Sequence, residues 1–457
     1  MQKYIKLAKQ HIKADYFEIR IQEGLGNRIY YRGSQLESIG ETSAVGGSIR
    51  VLIKGRWGFA SFNNIQDIGR YAKIACKQAE AAVKITGKGH EYITNIPNLK
   101  DKTHEGTGVD FSNISIDEKH NLINAYNKIL LSHKSITSSS VSYNDRCSKH
   151  IFCNSEGAEI ETINKFCGLS LSAQARKAND VQNAYHSVGD LRGFEIVKNL
   201  EIECEQVCKR AIEQLKAKPI KADTYDVILD PKLAGVFIHE AFGHLSEADF
   251  IYENPDFANL MRLGKQFGSD ELNVIDDASL TDEAGSYIYD SQGVKAQRTN
   301  LITNGILTGR LHSLETATAM NESPTGNGRA INYAHHPIVR MSNTFIDNGN
   351  SNLDEMLDSC NQAIYAKGSL GGQTNTEMFT FSAEEAFNIT NGKIGKRCRD
   401  IVLTGNVFET LKNIELIGND LTLFGGMGGC GKAGQSPLRV SCGAPHIKIK
   451  NVVIGGR

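Results

Sequence analysis

From Tyr225 to His244 the sequence reads Tyr-Asp-Val-Ile-Leu-Asp-Pro-Lys-Leu-Ala-Gly-Val-Phe-Ile-His-Glu-Ala-Phe-Gly-His. No other stretch restricts the fold so strongly. Tyr225–Leu229 has the character of a buried strand. Asp230 before Pro231 is a helix start, an acidic N-cap followed by a proline that gives up no needed N–H. Apolar groups then fall on nearly every face of the helix, so it has to be buried. At its end stand His239, Glu240 and His244. Ionisable groups on such a helix need compensation: a bound metal, or backbone partners for the imidazoles and an ion pair for Glu240.

The spacing sets a geometric demand. Histidines four apart share one helix face, whereas five apart they diverge by about 140°. A regular helix cannot aim both rings at one ion. A π-bulge or local unwinding near Gly243 closes that gap, and such bulges concentrate at functional sites.

At 457 residues the chain exceeds one ordinary core, which predicts two domains. Helical spacing covers 2–13, 66–85 and 115–132, with a charged helix at about 192–215. Strand patterns mark 16–21, 46–53 and 57–61, with a turn at Lys54-Gly55-Arg56. Residues 91–112 read as a long loop and 134–189 as an antiparallel meander. Lys216-Ala217-Lys218-Pro219 ends the last helix and marks the linker. After the Asp230 helix come many short strands separated by turns such as Asn304-Gly305, Asn348-Gly349 and Asn391-Gly392. The expected class is α+β: an N-terminal domain over 1–220 with helices and antiparallel sheet, then a mostly β domain over 221–457 carrying the helix.

Basic and acidic side chains balance, 51 against 52. No one-sign field draws the chain to nucleic acid. No uncharged apolar run reaches the ~18–20 residues of a membrane helix. The first residues lack a signal-peptide core. Ten cysteines without a CxxC pair fit reduced thiols, so a cytoplasmic protein is expected.

The stretch Gly235–Asp249 resembles the hallmark of the TldD/PmbA family, on its TldD side. In order follow Pro324-Thr325-Gly326-Asn327-Gly328-Arg329, Tyr333-Ala334-His335, Gly418-Asn419-Asp420-Leu421 and Cys430-Gly431-Lys432-Ala433-Gly434-Gln435-Ser436. The Arg50–Ser61 region is their N-terminal counterpart. The resemblance implies a metallopeptidase with zinc (Zn2+) held by His239, His244 and Cys430, and Glu240 taking the proton of the attacking water. It implies peptide substrates, unfolded or modified, in an enclosed cleft. It also implies pairing, as a homodimer or as a heterodimer with a PmbA-like subunit. The alternative is a catalytically silent subunit that binds peptides or a partner.

Two positions depart from the family pattern: Asn375 replaces an acidic residue and Ala330 a second arginine. Glu247 and Asp249 are candidates to orient the ligand histidines, or else to pair with Arg262. Asn327, Arg329 and Tyr333 are candidates to line the cleft. His335-His336 reads as extended loop, and Cys204 and Cys208 as packing residues.

Overall fold

The structure, a computed structural model, describes residues 2–89, 93–375 and 377–455. Its N-terminal part is built on one seven-stranded sheet. The strands are β1 (Tyr16–Arg32), β2 (Gln35–Ile53), β3 (Arg56–Phe62), β4 (Lys100–Glu105), β5 (Ile136–Asn154), β6 (Glu159–Lys177) and β7 (Asp180–Asp190). Their order is β3-β2-β1-β5-β6-β4, with β7 also paired to β6. The meander expected over 134–189 is β5, β6 and β7, antiparallel throughout.

Helices α1 (Gln2–Lys9) and α2 (Ile68–Thr86) cover one end of the sheet, sharing a core of Ile19, Ile49, Val51, Ala72 and Ala75. Helices α3 (Ile116–Leu131) and α4 (Glu201–Gln214) cover the other, around Tyr126, Tyr143, Leu169 and Val207. Cys204 and Cys208 lie in that second core as packing residues.

Three local readings change. The polar segment 91–112 contains β4, which pairs in parallel with β6 from Lys100↔Glu159 to Glu105↔Asn164; of that segment, residues 91 and 92 lie outside the described residues. Alternating charge hides such a strand, because ion pairs such as Lys100–Glu159 at 2.7 Å replace apolar contacts. The helix expected at 192–215 begins only at Glu201. Gly193 and Asn199 hold positive φ (71° and 55°), which a right-handed helix cannot contain. The helix expected over 2–13 ends at Lys9.

The C-terminal part is mostly strand, as expected. Strand β8 (Asp223–Leu229) is sandwiched between Gln362–Asn375, parallel to it, and Ile447–Gly455, antiparallel. Pairings then run through Val402–Asn406 and Met378–Thr390 back to Gln362–Asn375, so five strands close a ring. Its hairpin strands of 14 and 13 residues are longer than expected. Beside it lies a six-stranded sheet in which Asn343–Ile346 pairs in parallel with Ser441–Ala444. Asn304-Gly305 and Asn391-Gly392 form tight turns with positive φ at each residue. Asn348-Gly349 instead leads to a short helix, Leu353–Asp358, capped by Asn352. Short helices at Leu314–Met320 and Val407–Lys412 were likewise unexpected; Ser313 and Asn406 cap them.

Helix α5 (Pro231–Ile238) sits between the two sheets. Asp230 accepts the Leu233 N–H at 2.9 Å, the cap its sequence called for. Phe237 meets Phe379 and Phe381 at ring-centroid distances of 5.5 and 5.7 Å, all three buried. Full burial of such aromatics contributes roughly 2–3 kcal/mol each, so the end of the helix is held by the core itself.

Candidate metal centre

Past Ile238 the helix does not stay regular. Residues His239–Gly243 form a π-helical turn, and the His244 N–H donates to the His239 carbonyl, five residues back. The wider turn brings both imidazoles to one side, with centroids 5.3 Å apart and planes at 82°. Gly243 makes room for the turn: a Cβ there would fall 2.1 Å from the Met341 Sδ.

Cys430 arrives from the far end of the chain, on the first strand of a hairpin, Cys430–Lys432 with Gln435–Leu438. Gly429 allows this approach, since a Cβ there would lie 2.3 Å from the Leu438 carbonyl oxygen. Arg340, completely buried, donates to the Cys430 carbonyl at 2.7 Å and the Gln435 carbonyl at 3.1 Å, pinning both strands.

Cys430 Sγ lies 3.3 Å from His244 Nε2. One ligand atom each from His239, His244 and Cys430 falls within 4.8 Å of the others. Nitrogen at ~2.0–2.1 Å and sulfur at ~2.3 Å from a tetrahedral ion sit about 3.5 Å apart, so the observed spacing suits one ion. His239 is buried and its Nδ1 has no hydrogen-bond partner among the described residues. An orphaned buried nitrogen is costly, and a two-imidazole, one-thiol donor set suits zinc.

The surroundings tune these groups. Burial alone would push the Cys430 thiol up, but hydrogen bonds from His239 and His244 bring it down to about 5. Burial disfavours charge on His244, yet the Glu247 carboxylate overrides it and pushes the imidazole up to about 11. Glu247 is fully buried; its Oε2 meets His244 Nδ1 at 3.0 Å and Lys432 Nζ at 3.0 Å. Lys432 also donates to both Asp249 oxygens at 2.7 Å. Glu247 therefore orients a histidine, while Asp249 takes Lys432 rather than Arg262.

Glu240 lines the same cavity as the three candidate ligands, a space of about 1040 Å³. Burial raises its carboxyl above the usual range. Its backbone carbonyl accepts the Thr374 hydroxyl at 2.7 Å, fixing this turn to the strand Gln362–Asn375. Gly371, Gly372 and Gln373 of that strand line the cavity next to Glu240, where a Cβ on Gly372 would lie 3.5 Å from Glu240 Cγ. The side chain of Asn375 lies outside the described residues.

The remaining candidates sit elsewhere. Asn327 is buried and bonds Asp276 and the Arg340 carbonyl. Arg329, Ala330 and Tyr333 line a second cavity. His335 bonds Asn332 within its loop at 2.9 Å. Sequence reasoning missed Arg340 and Lys432, whose roles depend on partners 90 and 185 residues away; only the glycine-rich setting of Lys432 hinted at either.

Comparison with known proteins places the whole chain in one family. Residues 222–456 match the PmbA/TldA metallopeptidase C-terminal domain, residues 17–83 its domain 1 and residues 109–218 its central domain. A protein named metalloprotease from Synechocystis sp. is 40% identical over 452 residues, 98% of this chain and 96% of its own. A zinc metalloprotease TldD homolog from Saccharolobus solfataricus is 29% identical over 469 residues, covering 100% of both chains. The crystal structure of TldE from Thermococcus kodakarensis superposes with a TM-score of 0.76 at 17% identity over 100% of both chains, a likeness of fold. Among the described residues no helix is long and apolar enough to cross a membrane.

Proposed function

Because the chain belongs to the PmbA/TldD family of metallopeptidases, we propose that it is a zinc-dependent peptidase cleaving unfolded or modified peptides in the cavity beside His239, His244 and Cys430. The observation that carries this reading is the convergence of those three side chains beside Glu240 in one space of about 1040 Å³. Such a volume accommodates a peptide segment.

His239, His244 and Cys430 are the residues that would hold the ion. Zinc bound there supplies Lewis acidity, polarising a carbonyl and making a water easier to deprotonate. Glu240 does the proton work. One residue beyond His239 on the turn, its carboxylate is offset from the ligand atoms. Burial makes it a stronger base than an exposed carboxylate. It takes a proton from the attacking water and returns it to the departing amine. Glu247 holds His244 by its Nδ1, keeping Nε2 turned to the Cys430 side. Gly371 and Gly372, which carry no side chain into the cavity, line it beside Glu240 and leave room there for an extended peptide.

Glu240→Gln tests the mechanism. It keeps the shape and the metal ligands, so zinc content stays while peptide cleavage falls by about 10²–10⁴-fold, the usual contribution of a positioned base. Equal cleavage by parent and variant would remove Glu240 from the mechanism. Absence of cleavage in both, with peptide still bound, would favour a silent binding subunit.

The active unit is proposed as a dimer, with a second copy or a PmbA-like chain over the cavity rim. Phe250, which lines the cavity, is 47% exposed, and Leu370, beside lining residues Ser369 and Gly371, is 52% exposed. Apolar groups at a cavity mouth are the composition expected of a covered edge.

A further inference from the structure

A second cavity, of about 520 Å³, lies between the N-terminal sheet and the C-terminal part. Four arginines reach it: Arg20 from β1, Arg146 from β5, and Arg329 and Arg439 from the C-terminal part. Their hydrogen bonds go to neutral acceptors. Arg20 donates to the His335 carbonyl and Arg329 to those of Met341 and Arg439. Arg146 donates to the Ser148 hydroxyl at 3.0 Å and Arg439 to the Asn164 side-chain oxygen at 3.3 Å. Among the described residues, none of the four makes a salt bridge. Arg20 is 8% exposed, and its Nε has no partner among the described residues.

The two carboxylates in the lining are already engaged. Asp290 accepts the N–H groups of Gln292, Val294 and Gly328 at 2.8–2.9 Å. Burial nonetheless pushes its carboxyl up to about 7, which leaves it only partly charged near neutral pH. Glu105 accepts from the Ile288 N–H and Asn164, both at 2.8 Å. The cations therefore feel one another. Arg439 is brought down to about 9, first by burial and then by Arg146 and Arg329. His150 is exposed to the cavity yet enclosed by protein. That enclosure first, and then Arg146, Arg439 and Arg20, bring it down to about 4.

Glu18 and Asp290 offset Arg20, Asp276 offsets Arg329 and Glu105 offsets Arg439 only in part, none of them within salt-bridge distance. Enclosed charge compensated only in part is costly, and a bound anion supplies the remainder. We propose that this cavity is a carboxylate-binding site, filled either by an acidic peptide or by a small free dicarboxylate. Guanidinium groups pair with carboxylates through paired N–H donors, stronger than neutral hydrogen bonds. Gly426 and Gly428 line both this cavity and the one beside Cys430, so the two spaces share the glycine loop as a common wall. The choice of a carboxylate rests on the peptidase reading; the unpaired arginines do not.

The test is calorimetry and thermal shift on the full chain carrying Glu240→Gln, so that no probe is consumed. Probes are acetyl-Glu-Glu-Glu, its neutral acetyl-Gln-Gln-Gln-amide counterpart, succinate and inorganic phosphate. Saturable binding of the acidic peptide or of succinate, absent for the neutral peptide, is expected. Tighter binding of the peptide identifies a peptide site, and binding of succinate alone a small-molecule site. Arg146→Gln with Arg439→Gln weakens binding at least about tenfold, with zinc content unchanged. The single Arg146→Gln, at a half-buried position, gives the same reading where the double variant does not fold. No saturable carboxylate binding up to about 10 mM, binding of phosphate alone, or binding unaltered in the arginine variants would overturn the proposal. Peptide cleavage by the parent is measured separately, so failure here leaves the peptidase reading standing.

Discussion

Glu247 offers the sharpest single perturbation of the metal centre. It is not a candidate ligand, yet it is completely buried, and the same oxygen meets His244 Nδ1 and Lys432 Nζ, each at 3.0 Å. Glu247→Gln keeps the shape and one oxygen for His244 but removes the charge that makes its imidazole basic. Glu247→Ala removes the acceptor as well. Loss of such an outer carboxylate typically costs 10- to 100-fold in metal affinity, about 1.4–2.7 kcal/mol. The Gln variant belongs near the lower bound and the Ala variant near the upper. Asp249→Asn is the internal control, because Asp249 contacts Lys432 and Phe250 N–H but no histidine; its effect stays within about threefold. The assay is zinc competition against a chromophoric chelator at neutral pH, with circular dichroism to check the fold. Parent-like affinity in both Glu247 variants would refute the reasoning: His244 would either not bind the ion or not depend on Glu247.

Two further outcomes are expected. Burial, then Lys232 and Arg210, bring His186 down to about 4, and its buried Nε2 has no partner among the described residues. A depressed imidazole favours the folded state above its unfolded pKa of ~6.5; that contribution fades as pH falls toward 4, on the order of 3 kcal/mol in all. His186→Gln should therefore flatten the acid limb of urea-melt stability between pH 6.5 and 4, and an unchanged limb would count against it. Sedimentation at working concentration should give a dimer, alone or with a PmbA-like chain; a fully active monomer would contradict the assembly.

Legibility in the sequence followed how local each feature is. Asp230-Pro231 announced the start of α5 because a cap needs only neighbouring residues, and the observed Leu233 bond is that cap. The five-residue histidine spacing demanded a widened turn, and the structure has a π turn there. Strand β4 stayed hidden because its charges pair across to β6, leaving no apolar alternation to detect. The long β1–β2 hairpin was read only at its ends. In β2, residues Gln35–Val45 are exposed or half-buried and burial is confined to Gly46–Leu52, while the glycines and charged residues of β1 between Gln22 and Arg28 mask its buried alternation. Cys430 was singled out by family likeness rather than spacing, since 186 residues separate it from His244 and only the fold joins them. Arg340 was beyond reach for the same reason: a buried arginine on two distant carbonyls carries no sequence signature.

The proposed chemistry requires one ion shared by the imidazoles of His239 and His244 and the thiolate of Cys430. Zinc content of purified protein, measured by elemental analysis beside His239→Ala and Cys430→Ser, tests this most directly. The expected result is one zinc per chain in the parent and less than about a tenth of that in each variant after dialysis against a weak chelator. Full zinc retention by the Cys430→Ser protein, or a metal-free parent that still cleaves peptides, would contradict it.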